Sequence, residues 1–187
     1  MSKSEYQDRG DEELFAMVQE NDQQAFSVLY ERYNRRLYSY CLRMLGSHAA
    51  AEDIFHDVFV KVYDNRQSFR GGSFVKWLFT IGRTTCLNAI RDRKHADDVN
   101  DLKDLLVGSD SSKTGDNLFV REALRKAIAG LPPEFREVLI LKQFNEYSYD
   151  EISDITGISI SLAKVRVFRA IKMLQKTLAP YLRDVKK

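Results

Sequence analysis

Apolar residues recur at intervals of three and four along most of the chain, the spacing that places them on one face of an α-helix. The longest run extends from Phe26 to Leu45, and arginines occupy its opposite face. A second run, from Ile54 to Tyr63, repeats pairs of adjacent apolar residues every four positions. Since no stretch alternates apolar and polar residues between hairpin turns, the pattern predicts an all-α protein.

Capping and turn residues mark the ends of these helices. Acidic residues 11–13 open a short leading helix, because the helix dipole favours negative charge there. Gly46 ends the long apolar run, and Ser47 can cap the helix that follows. The periodicity breaks over residues 65–73 and resumes over 74–91. The first half of the chain is therefore predicted to be a group of helices interrupted by a loop.

A helix-turn-helix is predicted over residues 148–174. Ser148 and Glu151 stand three residues apart, the spacing of a capping box at the start of a helix. Gly157 can end that helix in the left-handed conformation, and Ser159 can then cap the next one. In helix-turn-helix proteins the second helix enters the major groove of DNA. The segment therefore indicates a DNA-binding protein.

Residues 96–117 separate the two apolar regions. This stretch has 2 basic and 6 acidic residues together with glycines and serines, and it is too polar to bury a core. We therefore predict an N-terminal domain over residues 1–95, a flexible acidic linker over 96–117 and a C-terminal domain over 118–187.

Charge is segregated along the chain, although the net charge is only +2. Residues 61–95 carry 8 basic and 2 acidic side chains, which gives +6, and residues 159–187 carry 8 and 1, which gives +7. Residues 1–23, with 2 basic and 7 acidic side chains, carry −5. Basic segments separated by acidic ones suggest that the chain contacts nucleic acid in two places.

The chain has no apolar run long enough to cross a bilayer or to act as a signal peptide, so it is predicted to be cytoplasmic and not membrane-inserted. Cys41 and Cys86 lie far apart in the sequence, and neither has a partner at metal-ligand spacing. The 3 histidines are scattered along the chain. We therefore predict two buried core cysteines, no metal site and no cofactor.

Aromatic and cationic residues alternate around the loop and the helix after it, between residues 66 and 88. Unpaired nucleic acid is held by cations along its backbone and by aromatic rings against its bases. Phe69, in the loop, is the better candidate for base stacking, whereas Phe74 and Trp77 fit a buried core. This region is therefore predicted to bind single-stranded DNA.

The second helix of the helix-turn-helix carries several cations. Lys164, Arg166 and Arg169 are candidates for reading base edges, and Lys172 and Lys176 for contacting phosphate. From their helical spacing, Arg166 and Arg169 can share a groove-facing side.

Three parts of the chain, in this order, resemble the extracytoplasmic-function sigma factors of bacterial RNA polymerase. Residues 51–59, AEDIFHDVF, resemble the family's helix that docks on the clamp of the polymerase's largest subunit. Residues 69–88 resemble its promoter-melting segment, and residues 131–138 and 149–174 resemble its second DNA-binding domain. The match covers nearly the whole chain outside the linker.

This resemblance implies a role for each surface. The acidic face of the third helix would contact core polymerase, the N-terminal domain would hold the minus-ten promoter element as single strand, and the C-terminal domain would hold the minus-thirty-five element as duplex. The implied residues are Asp53, His56 and Asp57 for polymerase; Arg66, Phe69, Arg70, Ser73, Lys76, Arg83 and Asn88 for the minus-ten element; and Ser159, Ser161, Lys164, Arg166, Arg169 and Lys172 for the minus-thirty-five element.

The partners implied are core RNA polymerase, promoter DNA and an anti-sigma protein, with the chain a monomer when free. Catalytic residues are not expected, so the protein is predicted not to be an enzyme. His56 and Asp57 stand where the family usually has glutamine and glutamate. From the pattern alone, the acidic face around Asp53 equally fits an ordinary solvated surface.

Two other classes of protein share parts of this pattern. A two-domain transcription regulator acting without core polymerase would also have the helix-turn-helix, but it would not need the aromatic and cationic loop. Such a regulator would bind promoter duplex by itself. A DNA-processing enzyme such as a recombinase would require a convergent set of nucleophilic or metal-binding side chains, and the sequence has no legible set of this kind.

Overall fold

The computed structural model describes residues 3–97 and 116–184, with side chains for 5–93 and 121–180. These residues form α-helices and one 3-10 turn, with no strand among them, which confirms the predicted all-α class. The short first helix was not predicted, because five residues are too few to establish a periodicity. The helices are α1 (Lys3–Gln7), α2 (Asp11–Gln19), α3 (Gln23–Leu45), α4 (His48–Asp64), α5 (Phe74–Asp97), α6 (Asp116–Ala129), α7 (Pro133–Gln143), α8 (Tyr149–Thr156) and α9 (Ile160–Asp184).

The predicted capping residues act as expected. Gly46 follows α3 with a φ of 70°, in the left-handed region. At the start of α8, the Glu151 carboxylate accepts from the Ser148 N–H at 2.8 Å, and the Ser148 hydroxyl accepts from the Glu151 N–H at 3.2 Å. Gly157 then ends α8 with a φ of 72°. The helix-turn-helix formed by α8 and α9 is therefore set by local sequence.

The N-terminal unit, α1 to α5, packs around α3, which contacts each of the other four helices of the unit. Phe15, Leu37, Tyr40 and Phe79 are among its fully buried side chains. Cys41 and Cys86 are also fully buried here, as predicted. The C-terminal unit, α6 to α9, buries apolar residues of α7, α8 and α9.

The two units also pack against each other, with α3 contacting α6 and α7 and α5 contacting α8. The Phe79 and Tyr147 rings meet edge to face, with centroids 5.3 Å apart. Arg136, on α7, donates to the carbonyl of Met44 on α3 and, at 2.8 Å, to that of Leu131. We call this the closed arrangement. The predicted linker, residues 96–117, lies largely outside the described residues.

Asp22, immediately before α3, joins α1 to α3 through its carboxylate. Its carboxylate accepts from the Gln24 and Ala25 N–H groups at 2.9 and 3.0 Å and from the Tyr6 hydroxyl at 2.8 Å. Asp22→Ala is expected to lower the free energy of unfolding by about 1–2 kcal/mol in urea denaturation, because it removes a helix cap and a tertiary hydrogen bond. Asp22→Asn, which keeps a capping oxygen, should lose much less; an equal loss would contradict the capping role.

The same carboxylate makes this contribution dependent on pH. The Ala25 N–H is the main group that holds the pKa of Asp22 below its usual range. The stabilisation is therefore present above the unfolded-state pKa of about 4 and is lost as the pH falls through the lowered folded pKa.

Candidate nucleic-acid and protein interfaces

The loop between α4 and α5 is fixed by contacts with α2. The Gln19 amide donates to the carbonyls of Arg66 and Phe69 at 2.9 and 3.1 Å. The Arg66 guanidinium lies over the Tyr63 ring at 4.3 Å and donates to the Asn21 side chain at 2.7 Å. Arg66, predicted to contact DNA, therefore also anchors this loop.

A hollow of about 420 Å³ opens between this loop, α4 and α5. The hollow is open to solvent over much of its boundary. It is lined by an indole, hydroxyls, amides and an ammonium group. This mixture is suited to stacking and hydrogen bonding. The lining residues are Lys61, Asn65, Ser68, Trp77, Thr80, Ile81, Thr84, Thr85 and Asn88.

The aromatic residues here differ in part from their predicted roles. Phe74 is fully buried, which confirms that it belongs to the core. Trp77 was predicted to be core as well, and it does pack against the core, but it is only partly buried and also lines the hollow. The Phe69 ring, the predicted stacking residue, packs edge-on against Phe15 with centroids 5.2 Å apart and lies 5.3 Å from Trp77. The pattern of α5 could not separate these cases, since both core and site rings recur at helical spacing.

The remaining residues predicted for single-stranded DNA fall on different sides of α5. Arg70 is exposed in the loop, and the Ser73 hydroxyl accepts from the Lys76 N–H at 3.4 Å at the start of α5. Asn88 lies in the hollow. Lys76 and Arg83 instead face the C-terminal unit.

Both of these cations pair with carboxylates of the C-terminal unit. Lys76 forms an ion pair with Asp154 on α8, and this hydrogen bond holds the pKa of Lys76 above its usual value. Arg83 donates to the Glu137 carboxylate from Nε at 2.7 Å and from Nη2 at 3.3 Å. Arg166 of α9 approaches the same carboxylate, at 3.8 Å. Arg166 is therefore engaged within the chain and only partly exposed, whereas Arg169, with which it was expected to share a face, is exposed.

The exposed face of α9 combines cations with apolar side chains. Val165 and Phe168 are 44% and 58% exposed. Neither was among the residues predicted to contact DNA, because that prediction rested on cationic and hydroxyl side chains. The Lys172 ammonium lies 4.7 Å from the centre of the Phe168 ring, and the Ser159 hydroxyl caps α9 by accepting from the Leu162 N–H. The predicted residues on this face are Ser161, Lys164, Arg169 and Lys172, all exposed.

The outer face of α4 carries the residues predicted to bind polymerase. Asp53 and His56 are exposed, and the half-exposed Asp57 pairs with Lys61 at 2.7 Å. Beside them lies a shallow apolar hollow of about 310 Å³. Val60 lines this hollow and is 57% exposed. An apolar centre with a charged rim is the usual composition of a protein interface. The hollow is lined by Phe26, Tyr30, His56, Phe59, Val60, Tyr63 and Asp64.

Within residues 3–97 and 116–184, no helix is both long enough and apolar enough to cross a membrane. Where side chains are described, no three His, Cys, Asp or Glu residues come together in a way that could hold a metal ion.

Comparisons with known proteins find similarity over most of the chain. The family model for sigma-70 region 2 matches residues 29–96, and that for sigma-70 region 4 matches residues 121–174. The chain is 31% identical over 173 residues to the ECF RNA polymerase sigma factor SigW of Bacillus subtilis (strain 168), covering 86% of this chain and 92% of SigW.

Solved structures have the same fold. The sigma factor RpoE of Bartonella quintana, in complex with the anti-sigma factor NepR, gives a TM-score of 0.69 at 26% identity, covering 82% of this chain and 96% of RpoE. CnrH, in complex with the cytosolic domain of CnrY, gives a TM-score of 0.71 at 22% identity, covering 91% of this chain and 97% of CnrH.

Proposed function

Because the chain belongs to the extracytoplasmic-function sigma factors of RNA polymerase, we propose that its two helical units read two separate promoter elements while α4 holds the polymerase. As a member of this family it binds core RNA polymerase and directs promoter-specific initiation of transcription. The observation that carries the division of roles is that each unit has its own candidate DNA surface, a lined hollow in one and an exposed helix face in the other.

The N-terminal unit, proposed to extend over residues 1–95, captures unpaired bases of the minus-ten element. The hollow beside Trp77 supports this role, since an unpaired base offers both a face for stacking and an edge for hydrogen bonding. Thr80 and Asn88 supply polar groups at its wall, and the exposed Arg70 lies in the adjoining loop.

The C-terminal unit, proposed to extend over residues 118–187, reads the minus-thirty-five element as duplex. The exposed face of α9 is suited to the major groove. Arginine there can bond the O6 and N7 atoms of guanine, and apolar groups can contact the thymine methyl. Arg169 would take the first role, and Val165 and Phe168 the second. Two weak readers held at fixed spacing by polymerase give a combined affinity that neither has alone.

The exposed acidic and apolar face of α4 is proposed to dock on core polymerase. Asp53, His56 and Asp57 form its polar part, and Val60 lies at its apolar part. RpoE was solved with the anti-sigma factor NepR, and we propose that an anti-sigma protein likewise binds this chain. The protein would act in the cytoplasm, as a free monomer before it meets polymerase, and it would supply specificity to the polymerase rather than catalysis of its own.

Run-off transcription tests this proposal. Core polymerase and a library of genomic fragments should give discrete transcripts only when the purified protein is added. A regulator that acts without polymerase would instead bind the same promoter duplex alone, and its binding would be unchanged by core enzyme. That outcome would replace the sigma-factor mechanism with the alternative.

Arg169→Ala is expected to relax the preference at one position of the minus-thirty-five element by about 1–3 kcal/mol, because it removes a contact to a base edge. Lys176→Ala, the matched loss of an exposed cation on the same helix, should weaken binding to all sequences alike and flatten the salt dependence. The measurement is holoenzyme affinity for promoters randomised in this element at several salt concentrations. An unchanged preference in Arg169→Ala at every position would remove Arg169 from the reading residues.

A further inference from the structure

The loop between α4 and α5, which adjoins the hollow, has little structure of its own. It contains one 3-10 turn, over Arg66–Ser68, and the backbone hydrogen bonds of this turn end at Phe69. The chain then passes through Gly71 and Gly72, which both have a positive φ. Glycine adopts many backbone conformations at little cost, so such a segment takes several shapes unless other parts of the protein restrain it. The restraint must therefore come from outside the loop.

The C-terminal end of α2 restrains the first part of the loop. The Gln19 amide donates to two loop carbonyls, those of Arg66 and Phe69, at 2.9 and 3.1 Å. In return, the Gln67 amide donates to the Gln19 carbonyl at 2.6 Å. Gln19 is 47 and 50 residues from its two acceptors, so these bonds fix the loop to a distant part of the chain.

The N-terminal end of α2 restrains the last part of the loop. The Glu12 carboxylate accepts from the N–H of Phe74, the first residue of α5, at 3.2 Å. The first N–H groups of a helix have no partner within it, and the helix dipole favours a negative charge there. The fully buried Phe15 lies on the same helix. Its ring centroid is 5.2 Å from that of Phe69 and 5.2 Å from that of Trp77.

These three side chains of α2 are not suited to contact DNA themselves. Phe15 is buried, and the Gln19 amide already donates to two carbonyls. The Glu12 carboxylate would be repelled by the negative charge of DNA. Any effect that they have on promoter binding must therefore act through the loop.

We propose that Glu12, Phe15 and Gln19 form a brace, one face of α2 that fixes the shape of the loop over residues 66–73 and so determines which unpaired base the N-terminal unit accepts. Their spacing of three and four residues places them on one side of the helix. The inference rests on the proposed function, because it takes the loop and the hollow to capture a minus-ten base. It adds that this selectivity depends on positioning residues that precede the match to sigma-70 region 2, which begins at residue 29.

The shape of the loop matters because stacking alone does not distinguish the bases. Every base has a face that can stack on an aromatic ring, whereas hydrogen bonds to base edges differ from base to base. Such bonds need the loop and the hollow to be held at a fixed separation. A loosened loop would keep part of the stacking and lose the selection.

Tryptic cleavage after Arg70, an exposed loop residue, measures the restraint in the free protein. Gln19→Glu keeps the length of the side chain, but an ionised carboxylate cannot donate to the two loop carbonyls. It should raise the rate of cleavage after Arg70 at least about fivefold, because the rate follows the population of the open loop. Gln23→Glu, the same change of charge at an exposed position of α3, should leave this rate unchanged. Mass spectrometry of the fragments gives the rate at this one bond.

The second measurement is holoenzyme affinity for premelted promoters that carry each of the four bases at each unpaired minus-ten position. At the captured position, Gln19→Glu should lower the ratio between the best and the worst base at least about fivefold, because fewer molecules hold the selecting shape. The preference within the minus-thirty-five element should stay the same. A variant that is merely less stable would lose active protein for all bases equally, and this ratio would not change.

Circular dichroism shows whether each variant is folded. If Gln19→Glu loses its helical signal, Glu12→Ala takes its place, with Glu20→Ala as the control, since both of these residues are exposed. A wild-type cleavage rate or a wild-type base ratio in the folded variant would overturn the brace. The cleavage rate needs neither polymerase nor DNA, so the brace can fail while the proposed function stands. If the wild-type protein shows no base preference at any unpaired position, base capture by the N-terminal unit fails, and the selecting role of the brace fails with it.

Discussion

Charge reversal of Asp53 and Asp57 to arginine is expected to lower the affinity for core RNA polymerase at least about 100-fold, because the loss of one partner of a charge pair that becomes buried in an interface costs roughly 2–5 kcal/mol. The fold should survive. Asp53 is exposed, and the Asp57–Lys61 pair is half-exposed and spaced four residues apart on α4. Such pairs contribute only about 0.3–0.5 kcal/mol to stability. A core-polymerase binding assay with circular dichroism alongside gives the measurement.

The matched control reverses two exposed carboxylates away from α4, Asp8 and Glu20, to arginine. It changes the net charge by the same amount, so it separates a specific contact from a general electrostatic effect. Equal weakening by both double variants would point to net charge alone. Undiminished binding by the Asp53 and Asp57 variant would mean that this face of α4 is ordinary solvated surface.

The elements of the fold were predictable because their signals are local. Ser148 and Glu151 cap α8 through atoms only three residues apart, and Gly46 and Gly157 take a backbone conformation that glycine adopts without steric cost. The fully buried face of α3 follows from its apolar spacing. Each of these features depends on neighbours within about one helical turn.

The pairing between the two units could not be predicted in this way. Arg83 and Glu137 are 54 residues apart, and nothing in the spacing around either residue indicates the other. Arg83 was therefore predicted only as a DNA contact, although its guanidinium is engaged inside the chain. The same holds for Arg66, whose partner Asn21 is 45 residues away. A cationic side chain in a sequence suggests an anionic partner, but only the tertiary structure shows which anion it contacts.

Aromatic residues posed a related problem on α5. Phe74 and Trp77 both continue its apolar stripe, yet Phe74 is fully buried while Trp77 reaches the hollow. The two residues lie about one helical turn apart. Whether such a ring is buried in the core or reaches the surface depends on its distance from the centre of the bundle. The contact of Phe69 with Phe15 depends likewise on α2, which is distant in sequence.

Trp77→Ala is expected to slow open-complex formation by about 5- to 150-fold, because stacking of a base on an aromatic ring is worth roughly 1–3 kcal/mol. Trp77 also lies near Phe15, with ring centroids 5.2 Å apart, so part of any defect could arise from packing. Trp77→Phe keeps an aromatic face and should retain much of the rate. Phe69→Leu, which keeps an apolar group against Phe15 but removes the ring, separates the two candidate stacking residues.

Permanganate reactivity of unpaired thymines measures melting on duplex promoters, and a premelted bubble separates melting from capture. Trp77→Ala should stay weaker than wild type on the bubble, because it lacks the face on which the unpaired base rests. Phe69→Leu should melt duplex promoters nearly as wild type if its ring serves packing alone. If instead Phe69→Leu is defective on the bubble and Trp77→Ala is not, the base stacks on the loop ring, as its position in the sequence first suggested, and the hollow beside Trp77 is not the capture site.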